Sequence, residues 1–154
     1  SFKYRNARRM CRLGDPRRPA WKWREKPGEV PEGRARLLTH DADRYADELW
    51  WRERRSELVM GPGSWGWVRA GLASMAALDR KGTLEAVDVP VLVLSVSGDA
   101  LVSASAIDRA AARLPRSEHV EFGPEAYHEM LREVDPVRDR ALGAIDDFLD
   151  RTLS

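Results

Sequence analysis

A single cysteine, Cys11, is all the thiol chemistry this sequence has. That excludes an internal disulfide framework and any cysteine-built zinc site. No apolar run approaches about 18 residues and the mean hydropathy is −0.52, so no transmembrane helix is expected. Net charge is nearly absent as well, at +1 from 26 basic and 25 acidic residues. Low-complexity tracts are missing, which removes the collagen-like and disordered classes. There are three histidines, and His40 and His119 lack metal-ligand spacing; they read as a helix-start residue and a strand residue. No metal or cofactor is expected. With no signal peptide visible, the expectation is a cytoplasmic protein that meets a membrane at most peripherally. What is present is 154 residues, 43% hydrophobic and 33% charged, enough for one soluble globular domain.

The small net charge conceals an uneven distribution. Residues 1–36 hold 12 Lys or Arg against 4 Asp or Glu. Residues 37–84 hold 7 of each sign, and residues 85–154 hold 7 against 14. Segments with different tasks, or a basic face meeting something anionic, produce such asymmetry. In residues 1–36, Pro16, Pro19, Pro27 and Pro31, with Gly14, Gly28 and Gly33, punctuate the chain, and Phe2, Tyr4, Trp21 and Trp23 sit among the arginines. This reads as an irregular basic arm. Basic charge with interleaved aromatics is also what single-strand nucleic-acid binding uses, but no recognised motif supports that and no nucleic acid is expected.

From Thr39 the texture becomes helical. Thr39 or Asp41 can cap a helix over about 41–57 carrying Tyr45, Leu49 and Trp50, and a second runs over about 64–80 with Val68, Leu72, Met75 and Leu78. The two are expected to pack on each other through Leu49, Trp50, Val68 and Leu72. At Val89 the pattern changes to a continuous β-branched and leucine run reaching Val96, the mark of a strand buried on both faces. Ser105 and Asp108 resemble a capping box for a helix with Ile107, Ala110, Ala111 and Leu114, ended by Pro115. His119–Phe122 then alternates as a strand. The sum is a βαβ unit with a parallel sheet and a right-handed crossover. A final apolar face begins near Tyr127 and runs through Val137, Ala141, Ile145 and Phe148, with a restart at Asp135-Pro136.

Two strands are too few to shield a parallel sheet. The expectation is therefore the C-terminal part of a larger α/β fold, completed by a missing N-terminal half or by a second copy of the chain. Asp99 follows the end of the first strand, where α/β sheets place ligands, and His128 follows the second. Acid then histidine, on loops after successive strands, is the second half of a Ser-Asp-His order. Plainer readings exist for both, a Gly-Asp turn and a helix-start histidine.

The stretch Pro90–Leu94, then Gly98-Asp99 and Val102, resembles the acid strand and loop of the lysophospholipase and monoacylglycerol lipase group of α/β-hydrolases. His128-Glu129, Leu131, Glu133 and Arg138 resemble that group's terminal histidine motif. Leu38-Thr39, Asp41, Arg44-Tyr45 and the tract Gly61 to Trp67 resemble its lid. The resemblance implies the C-terminal part of an α/β-hydrolase core over 85–154, preceded by a lid segment over 1–84, basic arm then two helices. It implies Asp99 as triad acid, His128 as triad base, and a single-chain lipid ester as substrate. Ser64 would belong to the lid, with Trp65 and Trp67 beside it on the substrate side or simply buried.

The nucleophile has no counterpart. Pro62-Gly63-Ser64-Trp65-Gly66 is one residue short of G-x-S-x-G, and a nucleophile elbow needs a strong strand before it, which Leu58-Val59-Met60 does not make. In the group it resembles, a further strand and two helices separate nucleophile from acid, and the 35 positions from Ser64 to Asp99 leave no room for them. Gly61 to Gly66 also matches G-x-G-x-x-G, but a dinucleotide site needs a buried strand in front, and Pro62 and Trp65 would crowd a pyrophosphate. The expectation is a serine ester hydrolase whose acid, base and lid are here and whose serine is elsewhere, so that this chain alone is inert. The alternative is a non-catalytic binding module whose basic arm meets an anionic membrane or nucleic acid.

Overall fold

Helical structure begins earlier than the composition suggests. The computed structural model describes residues 2–22, 32–59 and 61–153. In it α1 spans Phe2–Arg12, α2 Glu32–Leu38, α3 Ala42–Arg54, α4 Trp65–Leu78, α5 Ala104–Ala111 and α6 Asp135–Leu153. The strands are β1 (Val91–Val96) and β2 (Ser117–Phe122), and 3₁₀ turns cover Ser56–Leu58 and Met130–Arg132.

The irregular arm is thus corrected at its start. Glycine and proline first occur at Gly14 and Pro16, so Phe2–Arg12 meets no helix breaker. α1 packs along α4 and buries Ala7 completely. Beyond it the chain crosses the start of α4 and is strapped there by backbone bonds. Ala20 N donates to Gly63 O at 2.9 Å, Trp65 N to Arg18 O at 3.1 Å, and Gly66 N to Pro16 O at 2.8 Å. Gly63 is required at this crossing, because a Cβ there would lie 2.6 Å from Trp21 and 2.9 Å from Trp67. Trp23, Pro27, Gly28 and Pro31 lie outside the described residues.

The strap also corrects the expected pairing of α3 with α4. The main partner of α4 is α1, while α3 lies against α2 and the Ser56–Leu58 turn. Trp50 is half-exposed and meets Trp51 edge-on at 4.8 Å instead of reaching α4. The helix starts follow capping rules: Asp41 Oδ1 accepts from Arg44 N at 3.0 Å and Ser64 Oγ from Trp67 N at 3.1 Å. For α5 the cap is Ser103, whose Oγ accepts from Ala106 N at 3.3 Å, two residues before the expected Ser105. Ser103 has the extended backbone that an N-cap needs, and Ser105 lies inside the helix.

β1 and β2 pair in parallel, with Val91 opposite Ser117 and Val96 opposite Phe122, joined through α5. The core gathers Val96, Phe122 and Ala126 against Val137 and Ala141 of α6, with Leu94, Val120 and Met130 at its margin. This supports a partial α/β fold, rich in helix around a two-stranded sheet. Among the largest fully buried side chains are Phe122, Val96 and, unexpectedly, Glu133. Arg113, after α5, reaches back to Leu78 O at 3.2 Å, Arg80 O at 2.6 Å and Glu85, tying the end of α4 to the βαβ unit.

Candidate active site

β1 ends at Val96 and the chain turns at once, with Asp99 N donating to Val96 O at 3.2 Å. The Asp99 side chain is 4% exposed, and its two oxygens do different work. Oδ1 accepts from Leu101 N at 2.7 Å and Val102 N at 3.1 Å, fixing the loop. Oδ2 lies 2.7 Å from Nδ1 of His128. Burial pushes the Asp99 carboxyl up, but the hydrogen bond from His128 and those from Leu101 and Val102 outweigh it, so the group sits below the ordinary aspartate value. Near neutral pH Asp99 is therefore an ionised acceptor, so Nδ1 must be the donor. Among the described residues nothing hydrogen-bonds Nε2, whose lone pair is available on a side chain that is 35% exposed. A carboxylate and imidazole so arranged can take a proton at Nε2 and stabilise the resulting imidazolium.

His128 follows β2 through a loop without strand or α-helical structure. Three consecutive N–H groups of this loop are held from outside it. Tyr127 N donates to Glu133 Oε1 at 2.9 Å, His128 N to Leu37 O at 3.3 Å and Glu129 N to Leu38 O at 2.8 Å. Thr39 Oγ1 closes the same seam by donating to Arg132 O at 2.7 Å. Arg132 reaches the carbonyls of Arg44 and Tyr45 at 2.8 and 3.2 Å. Arg44 in turn binds Glu133 O and the Asp135 carboxylate. The sequence reading missed these roles of Thr39, Arg44 and Glu133. The available signal was Glu133 itself, a carboxylate interrupting the apolar series Met130, Leu131, Val134 and Val137.

The other candidates are placed elsewhere. Ser64 is the N-cap of α4, and among the described residues no hydrogen bond joins it to Asp99 or His128. The turn before it is 3₁₀ at Ser56–Leu58, not a strand, so neither a nucleophile elbow nor a dinucleotide loop is built there; Met60 lies outside the described residues. Trp65 is half-buried at the strap. Trp67 is exposed, meets Trp21 edge-on at 6.4 Å, and lines an open cavity of about 870 Å³. Trp21, Trp51 and Trp67 line that cavity together with Arg52, Glu129 and Arg132, an amphiphilic lining. Neither Trp65, Ser64, Asp99 nor His128 forms its wall, although Glu129 adjoins His128. His119 is a strand residue, as expected, with Nε2 2.7 Å from the buried Ser95 Oγ. His40, at the entry to α3, stacks on Tyr127.

The sequence matches no protein-family profile, and it matches no curated protein. Among solved structures the chain is similar to a soluble variant of the monoglyceride lipase from Saccharomyces cerevisiae, crystallised with a substrate analog. The TM-score is 0.70 at 15% identity, over 97% of this chain and 46% of that one. The shared fold is of the α/β-hydrolase kind. This chain spans about half the length of that lipase. No helix of the described residues is long and apolar enough to cross a membrane.

Proposed function

We propose that this chain carries the acid and the base of a serine ester hydrolase of the lysophospholipase or monoacylglycerol lipase type. The observation that carries the reading is the 2.7 Å contact between Asp99 Oδ2 and His128 Nδ1, made by loops that follow two neighbouring parallel strands. The fold shared with a monoglyceride lipase supports it. In this reading His128 Nε2 removes the proton of a serine as its oxygen attacks the ester carbonyl. The protonated ring then gives that proton to the departing alcohol, leaving an acyl-serine. Water repeats the cycle and releases the fatty acid, while Asp99 holds the ring and stabilises its charged form. The serine and oxyanion hole come from a complementary half of the fold, Ser64 being a helix cap. The chemistry asks for no cofactor. The substrate is a single-chain lipid ester, and Trp67 offers its exposed face to the acyl chain.

The decisive experiment adds a serine-bearing complementary half to the chain. Labelling by a fluorophosphonate and release of fatty acid from a monoacylglycerol should need both parts and disappear in His128→Ala. Labelling of this chain alone, at Ser64, would refute the reading.

One observation favours a membrane-facing role beside it. Arg5, Arg8, Arg9 and Arg12 recur at helical spacing on one face of α1, and none is paired with an acid among the described residues. Exposed Phe2 and Leu13 flank them. Such a face suits the anionic surface of a bilayer, which offers headgroup charge and an apolar layer together.

A further inference from the structure

We propose that Glu133 is the positioning residue for His128, an inference that rests on the acid–base reading of Asp99 and His128. Its side chain is fully buried. Oε1 accepts from Tyr127 N at 2.9 Å and His40 N at 3.1 Å, and lies 2.9 Å from His40 Nδ1. Oε2 accepts from Val134 N at 3.2 Å. A buried carboxylate without donors is strongly unfavourable, and a well-packed apolar residue would often serve stability as well or better. An apolar residue could not gather three backbone N–H groups from three separate stretches of chain.

Those stretches define the placement of His128. Tyr127 precedes it, Val134 closes the turn that follows, and His40 begins the segment lying across both. The N–H groups of His128 and Glu129 go to Leu37 and Leu38, which fixes the height of the loop on α2. On the β2 side the chain is turned by the bond from Ala126 N to Gly123 O at 3.2 Å, and the next N–H, that of Tyr127, ties it to Glu133. His40 reinforces it, its ring stacked on Tyr127 at 3.7 Å and 17° between planes. Without Glu133 the backbone can pivot at Tyr127 while keeping the next two bonds, and the imidazole swings off Asp99. Glu133 touches neither substrate nor reacting atoms in this scheme; it acts through the angle of the His128 backbone.

The test is 15N-histidine NMR on the 154-residue chain, recorded on the solid where the chain oligomerises. In the native chain His128 should be a fixed Nδ1–H tautomer. Glu133→Met keeps the length of the side chain but removes every acceptor for Tyr127 N, His40 N and Val134 N, and should move His128 to an average of both tautomers. The His119 signals, set on β2 against Ser95, should not change. In the reconstituted enzyme the same substitution should lower kcat about 100-fold, the scale of an ångström-level misplacement, with KM unchanged. His40→Ala, at a partly exposed side chain, should shift the His128 signals in the same direction by less. A folded Glu133→Met chain with native His128 signals would overturn the proposal; should that variant not fold, native His128 signals in His40→Ala would overturn it. The tautomer readout needs no turnover. A shifted His128 in a reconstituted protein that cleaves no ester would therefore uphold the positioning role and refute the hydrolase reading instead.

Discussion

Arg113 grips Glu85 with two hydrogen bonds, Nε to Oε1 at 2.8 Å and Nη2 to Oε2 at 3.0 Å. The guanidinium hydrogen bond is the leading reason that the Glu85 carboxyl falls to about 2. A carboxyl lowered on folding contributes stability that is complete above its unfolded value and lost as the pH falls through its folded one. For Glu85 that window runs from the ordinary glutamate range, near ~4.3, down to about 2. Carboxyl 13C NMR should show Glu85 titrating near 2, and Arg113→Ala should return it to the ordinary range. A native-like value in the variant would assign the shift to another cause.

Asp99 obeys the same sign. Its carboxyl is lowered by His128, Leu101 and Val102 against the opposing effect of burial, so its contact is complete above about pH 4 and weakens as the pH drops below. In the reconstituted enzyme, Asp99→Asn should reduce kcat roughly 10⁴-fold, because the amide no longer enforces the Nδ1–H tautomer. A loss under tenfold would make Asp99 a turn residue only.

Ser64→Ala separates capping from catalysis. The variant should lose about 1 kcal/mol of stability, the usual cost of an N-cap, measured by urea unfolding. Fluorophosphonate labelling of the reconstituted protein should be unaffected.

The sheet should make the isolated chain associate. In a two-stranded sheet β1 keeps one edge without a strand partner among the described residues, a template for another strand. Size-exclusion chromatography should show oligomers that dissolve on adding the complementary half. A lysine at Val93, mid-strand, should reduce association; a monomeric native chain would contradict this.

The α1 face makes a separable prediction. Flotation with phosphatidylserine vesicles should carry the chain upward, whereas phosphatidylcholine alone should not. Reversing Arg8 and Arg9 to glutamate should weaken binding at least about 20-fold, each arginine near an anionic surface contributing about 1 kcal/mol. Raised salt should act likewise. Equal affinity for a single-stranded oligonucleotide would mean a general polyanion surface instead.

Much of this molecule is legible where the chain speaks in long apolar series. Val91–Val96 and the α6 stripe announce themselves, and the loops that follow β1 and β2 bring Asp99 and His128 together. Legibility fails where a structure depends on distant partners. α1 presents arginine on most of its surface and buries little beyond Ala7, so its helical period is masked by its charge. The α1–α4 pairing depends on a strap between Pro16–Ala20 and Gly63–Gly66 that no local period encodes. Glu133 looks like a surface residue until His40, 93 positions away, is folded onto it.

That strap has a consequence for a chain that is cut. The bonds from Gly66 to Pro16, Trp65 to Arg18 and Ala20 to Gly63 join two stretches of sequence separated by more than forty positions. A protease cleaving between them would break the covalent thread without releasing the first piece, since α1 stays clasped to α4. The nicked protein should travel as one species in native buffer and come apart only in denaturant, a split molecule that keeps its shape.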